Sequence, residues 1–92
     1  SINHNFFYAT KLKHFLNKYK ISSNKVSANF LLLNFDKCKI NAKYFYEKLK
    51  DTGIILRSTE NSYKIKNMLR LTVGSKKENL KFMKTTENIF KK

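Results

Sequence analysis

Apolar side chains near the start of the chain recur at intervals of three and four residues. This spacing predicts one amphipathic helix over about residues 4 to 20. Its inward face would consist of Tyr8, Leu12, Phe15, Leu16 and Tyr19. A loop is expected to follow, because Ser22, Ser23 and Asn24 are typical turn-forming residues.

The segment at residues 28–35 is apolar at almost every position and has no helical period. It is too short for a surface helix and is typical of a strand that is buried largely on both faces. We therefore expect it to be the central strand of a sheet.

A second helix is predicted to begin at Asn41, since asparagine caps helix N-termini well. Ile40 and Phe45 have the spacing of a hydrophobic staple around this cap. Gly53 is expected to end the helix. The inward stripe would consist of Ala42, Phe45, Tyr46 and Leu49.

Two further strands are predicted on either side of a polar loop. Residues 54–57 form the first strand, residues 58–67 the loop and residues 68–73 the second strand. In the second strand, Leu69 and Leu71 alternate with Arg70, so Arg70 is expected to point away from the leucine face.

The last helix is predicted from Ser75 and Glu78, which have the spacing of a capping box, and should run to about Phe90. Its apolar face would consist of Leu80, Met83 and Phe90. The predicted order is α, β, α, β, β, α, which corresponds to an α/β two-layer sandwich with helices covering a small sheet. A chain of 92 residues has room for one domain, residues 1–92.

The net charge of +14 raises the alternative of a basic nucleic-acid-binding module. However, the lysines are scattered without a dominant block, which favours solvated faces. The aromatic clusters at residues 6–8 and 44–46 could stack on bases, but their helical spacing favours the core. The chain also lacks an RNP1-like motif, zinc-ligand spacing and a recognition-helix pattern.

Cys38 is the single cysteine, which excludes an internal disulfide and favours a cytoplasmic location; we expect it to be a thiol without function. His4 and His14 have no second ligand cluster, so no metal site is expected. No apolar run approaches the roughly 20 residues of a membrane helix. Because residue 1 is Ser1 and not Met, we expect the chain to be part of a longer protein.

The two arginines, Arg57 and Arg70, stand among eighteen lysines and are the candidate binding residues. A planar guanidinium grips carboxylate or phosphate through two parallel hydrogen bonds, whereas an ammonium acts as a point charge. Both arginines fall in predicted strands near a turn, which is a rigid setting for an anion site.

From Ser27 onward the chain resembles the C-terminal small domain of the histidinol-phosphate aminotransferase family, in the class I/II group of pyridoxal-phosphate enzymes. Four blocks carry the resemblance: SANF at residues 27–30, GIILR at residues 53–57, NMLRLTVG at residues 67–74, and EN at residues 78–79. Residues 27–92 are therefore expected to be the family-like core, preceded by a leading helix and loop over residues 1–26. The chain departs from the family at Lys66, where proline is frequent.

The resemblance implies that Arg70 binds the carboxylate of glutamate or 2-oxoglutarate and that Arg57 helps to hold the phosphate of histidinol phosphate. It also implies a homodimeric enzyme of histidine biosynthesis whose cofactor, pyridoxal 5'-phosphate, is held by a large domain. Nothing in this chain matches the Ser-x-x-Lys segment that carries the cofactor lysine, so no residue here is expected to be catalytic or cofactor-binding, and the chain alone is expected to be inactive. A related pyridoxal-phosphate enzyme that acts on another amino acid or amino phosphate remains an alternative.

Overall fold

The computed structural model describes residues 2–24, 30–59 and 66–91. Within these residues the chain forms three helices and four strands. In chain order they are α1 (Ile2–Asn17), β1 (Ser22–Ser23), β2 (Phe30–Asn34), α2 (Ala42–Leu49), β3 (Ile55–Ser58), β4 (Met68–Thr72) and α3 (Lys76–Phe90).

The strands form one antiparallel sheet in the order β1-β2-β4-β3. The predicted α/β two-layer architecture is confirmed, with one additional strand. Ser22 and Ser23 pair with Asn34 and Leu33, so the prediction of a loop at these two serines is wrong. A strand of two residues is too short to show an alternating pattern in the sequence.

Strand β2 has a neighbour on each side, as expected of a central strand. Leu31 and Leu33 are fully buried, whereas Phe30, Leu32 and Asn34 on the other face are half-buried. The prediction that β2 is buried largely on both faces is therefore wrong, because the core of the described residues lies on one face of the sheet. Residues 28 and 29 of the predicted strand lie outside the described residues.

All three helices contribute to a single core against that face. The ring of Phe45 on α2 lies 5.0 Å from that of Phe35 and 5.9 Å from that of Phe82 on α3, between ring centroids. The prediction for α3 was partly wrong: Met83 and Phe90 pack against the core as predicted, but Leu80 is 43% exposed and the fully buried Phe82 was missed. The face of α1 was predicted correctly, with its buried residues including Tyr8, Leu12, Phe15 and Leu16.

Two helix ends differ from their predictions. Helix α1 ends at Asn17, and Lys20 beyond it takes a left-handed φ of 66°. Helix α2 ends at Leu49 with Lys50 as its cap, so Gly53 does not end it. Gly53 has a φ of +94° and instead allows the turn into β3.

The aromatic clusters are only partly in the core. Tyr8 and Phe45 are buried, but Phe6, Phe7 and Tyr44 are exposed, so their predicted burial is wrong. Helical residues at neighbouring positions point in different directions, and a run of three aromatics cannot be buried at every position.

Among the described residues, no helix has the length and apolar character required to cross a membrane.

Candidate functional site

The register of β3 and β4 places the two arginines side by side. Arg57 and Arg70 are directly paired across the two strands. Residues opposite each other in an antiparallel pair have Cβ atoms about 4.5–5.5 Å apart, so both side chains emerge on the same face of the sheet. The buried partners Leu56 and Leu71 define the other, helix-covered face. The prediction that Arg70 points away from the leucine face is confirmed.

Arg70 is half-buried on the sheet face opposite the helices. Its guanidinium carbon lies 4.5 Å from the centroid of the Phe30 ring. Its Nε atom is buried without a hydrogen-bond partner. Among the described residues, no carboxylate forms an ion pair with this guanidinium.

Arg57 is exposed, and within the described ranges neither arginine forms an ion pair. The salt bridge of those ranges joins Lys50 to Glu47 on the surface of α2 at 3.2 Å; hydrogen bonding to Glu47 raises the pKa of Lys50. Glu60, a candidate partner for Arg57, lies outside the described residues. Two like charges placed opposite each other on a sheet repel. An anion bound between them would relieve that repulsion.

Asn67 holds the start of β4, the strand that carries Arg70. It takes a left-handed φ of 57°, a conformation that asparagine tolerates better than most residues. Its side chain accepts a hydrogen bond from the Ala42 amide at 2.9 Å and donates one to Asp36 at 3.0 Å. Its backbone carbonyl also accepts from the Phe35 amide at 3.1 Å. Asn67 thus ties the start of β4 to the end of β2 and the start of α2.

Asn79 fixes the exit from the same strand. Its fully buried side chain accepts a hydrogen bond from the Gly74 amide and donates one to the Gly74 carbonyl, each at 3.0 Å. His4 also approaches that carbonyl, with Nε2 at 3.0 Å. The family-like EN block therefore holds the strand end in place. Sequence reasoning missed this role of Asn79, because a polar residue facing the core interrupts the apolar pattern.

The predicted capping box at the start of α3 is confirmed. Ser75 Oγ accepts from the Glu78 amide at 3.2 Å, and Glu78 Oε1 accepts from the Ser75 amide at 2.9 Å. These hydrogen bonds stabilise the carboxylate and lower the pKa of Glu78. A Cβ atom at Gly74 would lie 2.7 Å from Glu78 Oε1, so glycine suits the close approach of the backbone to this box. The predicted cap at Asn41 is likewise present, with its side chain accepting from the Tyr44 amide at 2.8 Å.

The remaining candidates do not join the arginine pair. Cys38 is half-buried and packs against the core. It also lines an open cleft of about 510 Å³ with Tyr19, Phe90 and several lysines. A second cleft of about 530 Å³ is lined by Asn41, Tyr46 and residues near the start of β4. Neither cleft is lined by Arg57 or Arg70. His14 is exposed, and the described residues hold no group of side chains suited to a metal ion.

The described lysines lie mainly on the surface. All of them are exposed except Lys13, which is half-buried. The Lys13 amine donates to the carbonyls of Ser23 and Asn24 and to the Ser23 hydroxyl, at 2.7–3.0 Å.

Comparison with known proteins identifies relatives over nearly the whole chain. The histidinol-phosphate aminotransferase of Pelagibacter ubique (strain HTCC1062) is 58% identical over 90 residues, which cover 98% of this chain and 25% of that protein. Histidinol-phosphate aminotransferase 2 of Legionella pneumophila (strain Lens) is 33% identical over 88% of this chain and 21% of its own length. A histidinol-phosphate aminotransferase of Clostridium botulinum (strain 657 / Type Ba4) is 35% identical over 80% of this chain and 20% of its own length. No family model matches the chain.

The chain is thus homologous to one segment of the histidinol-phosphate aminotransferases and spans about a quarter of the length of the curated relatives that it matches. The resemblance on the four sequence blocks is confirmed at the level of homology.

Proposed function

We propose that this chain, as a homologue of one segment of the histidinol-phosphate aminotransferases, is the small domain that binds substrate anions in such an enzyme. The whole protein would transfer an amino group between histidinol phosphate and 2-oxoglutarate in histidine biosynthesis. The observation that supports this proposal best is the cross-strand pairing of Arg57 with Arg70 on the sheet face opposite the helices.

Arg70 would bind the carboxylate of glutamate or 2-oxoglutarate, and Arg57 would help to hold the phosphate of histidinol phosphate. Each substrate carries an anionic group, and neither guanidinium is neutralised by a described carboxylate. Asn67 and Asn79 anchor the two ends of β4, so the Arg70 backbone is held on a rigid element. Such fixed anion binding would orient the substrate amine toward the reacting centre.

The cofactor would lie outside this chain. Pyridoxal 5'-phosphate would supply the electron sink for amino-group transfer when bound, and nothing in this chain matches the Ser-x-x-Lys segment that carries the cofactor lysine. We infer that a large domain of the same enzyme supplies the cofactor lysine and faces the arginine pair. The full-length enzyme would be a homodimer.

The proposal is tested by Arg70→Lys and Arg57→Lys in the full-length enzyme. Arg70→Lys replaces a planar fork by a point charge and should impair the half-reaction with glutamate by about 1.5–3 kcal/mol. Arg57→Lys should weaken histidinol phosphate more than glutamate. Single-turnover kinetics measure the two half-reactions separately, and each variant controls for the other because both preserve charge.

Equal and small losses in both half-reactions for both variants would mean that the arginines are structural, and the site assignment would be withdrawn. A related enzyme acting on another amino phosphate would give the same response to the substitutions but prefer a different amino substrate. Comparison of histidinol phosphate with other phosphorylated amines at matched concentrations separates these two outcomes.

A further inference from the structure

The aromatic ring of Phe30 lies under the guanidinium of Arg70. Thr72 is the direct cross-strand partner of Phe30, and Leu32 is that of Arg70. Phe30 and Arg70 are therefore diagonal neighbours on one face of the β2–β4 pair, a separation that long and aromatic side chains can bridge. The guanidinium carbon is 4.5 Å from the ring centroid, within the distance of a cation–π contact.

This contact accounts for the unusual burial of Arg70 Nε. That nitrogen is buried and has no hydrogen-bond partner, although a charged group normally keeps its polar atoms paired or hydrated. The ring face offers an electrostatic substitute for the lost water, since the negative face of an aromatic ring attracts a cation.

No described carboxylate binds the Arg70 guanidinium in place of the Phe30 ring. The described part of the chain contains no ion pair of Arg70, and its neighbour on the β3 side is the like-charged Arg57. Phe30 lies on the β2 side, so Arg70 is placed between an attractive ring and a repelling cation. The position of the guanidinium then depends on the ring.

We propose that Phe30 is a positioning residue that holds the planar guanidinium of Arg70 in the orientation that binds the substrate carboxylate. The inference rests on the proposed function of Arg70 and adds to it a residue that determines how well that arginine binds. Phe30 itself does not touch the substrate in this account; it acts through Arg70.

The experiment uses the full-length enzyme and single-turnover titration with glutamate. Phe30→Leu removes the ring and keeps an apolar side chain, and it should weaken glutamate binding by about 3- to 30-fold, the range expected for a cation–π contact. The rate at saturating glutamate should change by less than about twofold, because the contact is made before and during the reaction. Phe30→Tyr keeps the ring face and should restore binding to within about twofold of wild type.

Leu32→Ala is the matched control. Leu32 is half-buried on the same face of β2 and is the direct cross-strand partner of Arg70, but it has no ring. If Phe30 acts only through packing, Leu32→Ala should weaken glutamate binding as much as Phe30→Leu. That result, or a failure of Phe30→Tyr to restore binding, overturns the inference. Phe30→Met serves as a second ring-free variant if Phe30→Leu fails to fold.

The Arg70→Lys background separates this inference from the proposed function. The effect of Phe30→Leu should be smaller there than in wild type, because the ring then has no planar guanidinium to orient. Fully additive effects overturn the role of Phe30 and leave that of Arg70 intact. If Arg70→Lys itself leaves glutamate binding unchanged, the proposed function fails and the role of Phe30 fails with it.

Discussion

Replacement of Asn79 by alanine tests the hydrogen bonds that hold Gly74 just after β4, the strand that carries Arg70. The side chain of Asn79 is fully buried and makes two hydrogen bonds with Gly74, each 3.0 Å long. Asn79→Ala leaves the Gly74 amide without its acceptor, whereas the Gly74 carbonyl keeps the contact with His4. A lost hydrogen bond costs about 0.5–1.5 kcal/mol, and an orphaned buried donor costs about 1–3 kcal/mol. We expect the free energy of unfolding to fall by roughly 2–4 kcal/mol.

Asn88→Ala is the matched control, because Asn88 is an exposed asparagine on the same helix. Both substitutions gain the same helix propensity, about 0.5 kcal/mol or slightly more, so their difference reports the hydrogen bonds. Urea denaturation of the chain, followed by far-UV circular dichroism, measures both free energies. Equal stability of the two variants would refute the assigned role of Asn79.

Three further predictions concern the cap of α3, its packing and the surface charge. Ser75→Ala should cost about 0.5–2 kcal/mol through loss of the capping box. The folded pKa of Glu78 is lowered by its hydrogen bonds with Ser75, so its contribution is present above the unfolded pKa and is lost as pH falls through the folded value. Alanine keeps the Ser75 amide, the larger cause of the lowered pKa, so the deficit of Ser75→Ala in urea melts should shrink below about pH 4 only by the share of the hydroxyl, and a deficit that grows on acidification would contradict the assignment. Phe82→Ala should cost about 3–5 kcal/mol and Leu80→Ala less than about 1 kcal/mol, because only Phe82 is fully buried; the reverse order would contradict the described phase of α3. Binding to single- or double-stranded nucleic acid should be weak, independent of sequence and steeply salt-sensitive in titrations. Submicromolar affinity with a sequence preference at physiological salt would favour the nucleic-acid alternative.

The sequence was most informative where a nearby side chain forms a hydrogen bond with a backbone amide. The caps at Asn41 and Ser75 were predictable because each side chain satisfies an amide three residues later. The alternation in β4 was equally legible, since one face of that strand is buried and the other is not. These are local features that do not depend on which element packs beside them.

The burial of two polar residues on α3 could not be predicted from the apolar pattern. The buried residues of α3 are Asn79, Phe82 and Thr86, and two of these three are polar. Thr86 donates its hydroxyl to the Phe82 carbonyl at 2.8 Å, and Asn79 bonds to Gly74, so both are satisfied inside the core. A search for apolar periodicity discards these positions and is drawn to Leu80. Polar residues that are satisfied by the backbone are invisible to a hydrophobic pattern.

For the site, the two arginines were predictable as residues but their adjacency was not. It depends on the register of β3 and β4, and the contact of Phe30 with Arg70 depends on β2 pairing with β4 and not with β3. Register depends on the hydrophobic pattern and on turn geometry, and strand order is a long-range property that residue spacing alone does not give.

The placement of Arg57 opposite Arg70 is expected to lower the stability of the isolated chain. Opposite like charges disfavour strand pairing, and a serine or threonine at either position would pair without repulsion. The described residues offer no carboxylate to offset the repulsion, and the Nε atom of Arg70 is buried unpaired in addition. Residues that conflict with local stability are expected mainly at functional sites, where a bound ligand can supply the partner that they lack. An anionic substrate would therefore offset the repulsion between the two arginines, because it supplies the negative charge that the described residues do not place there.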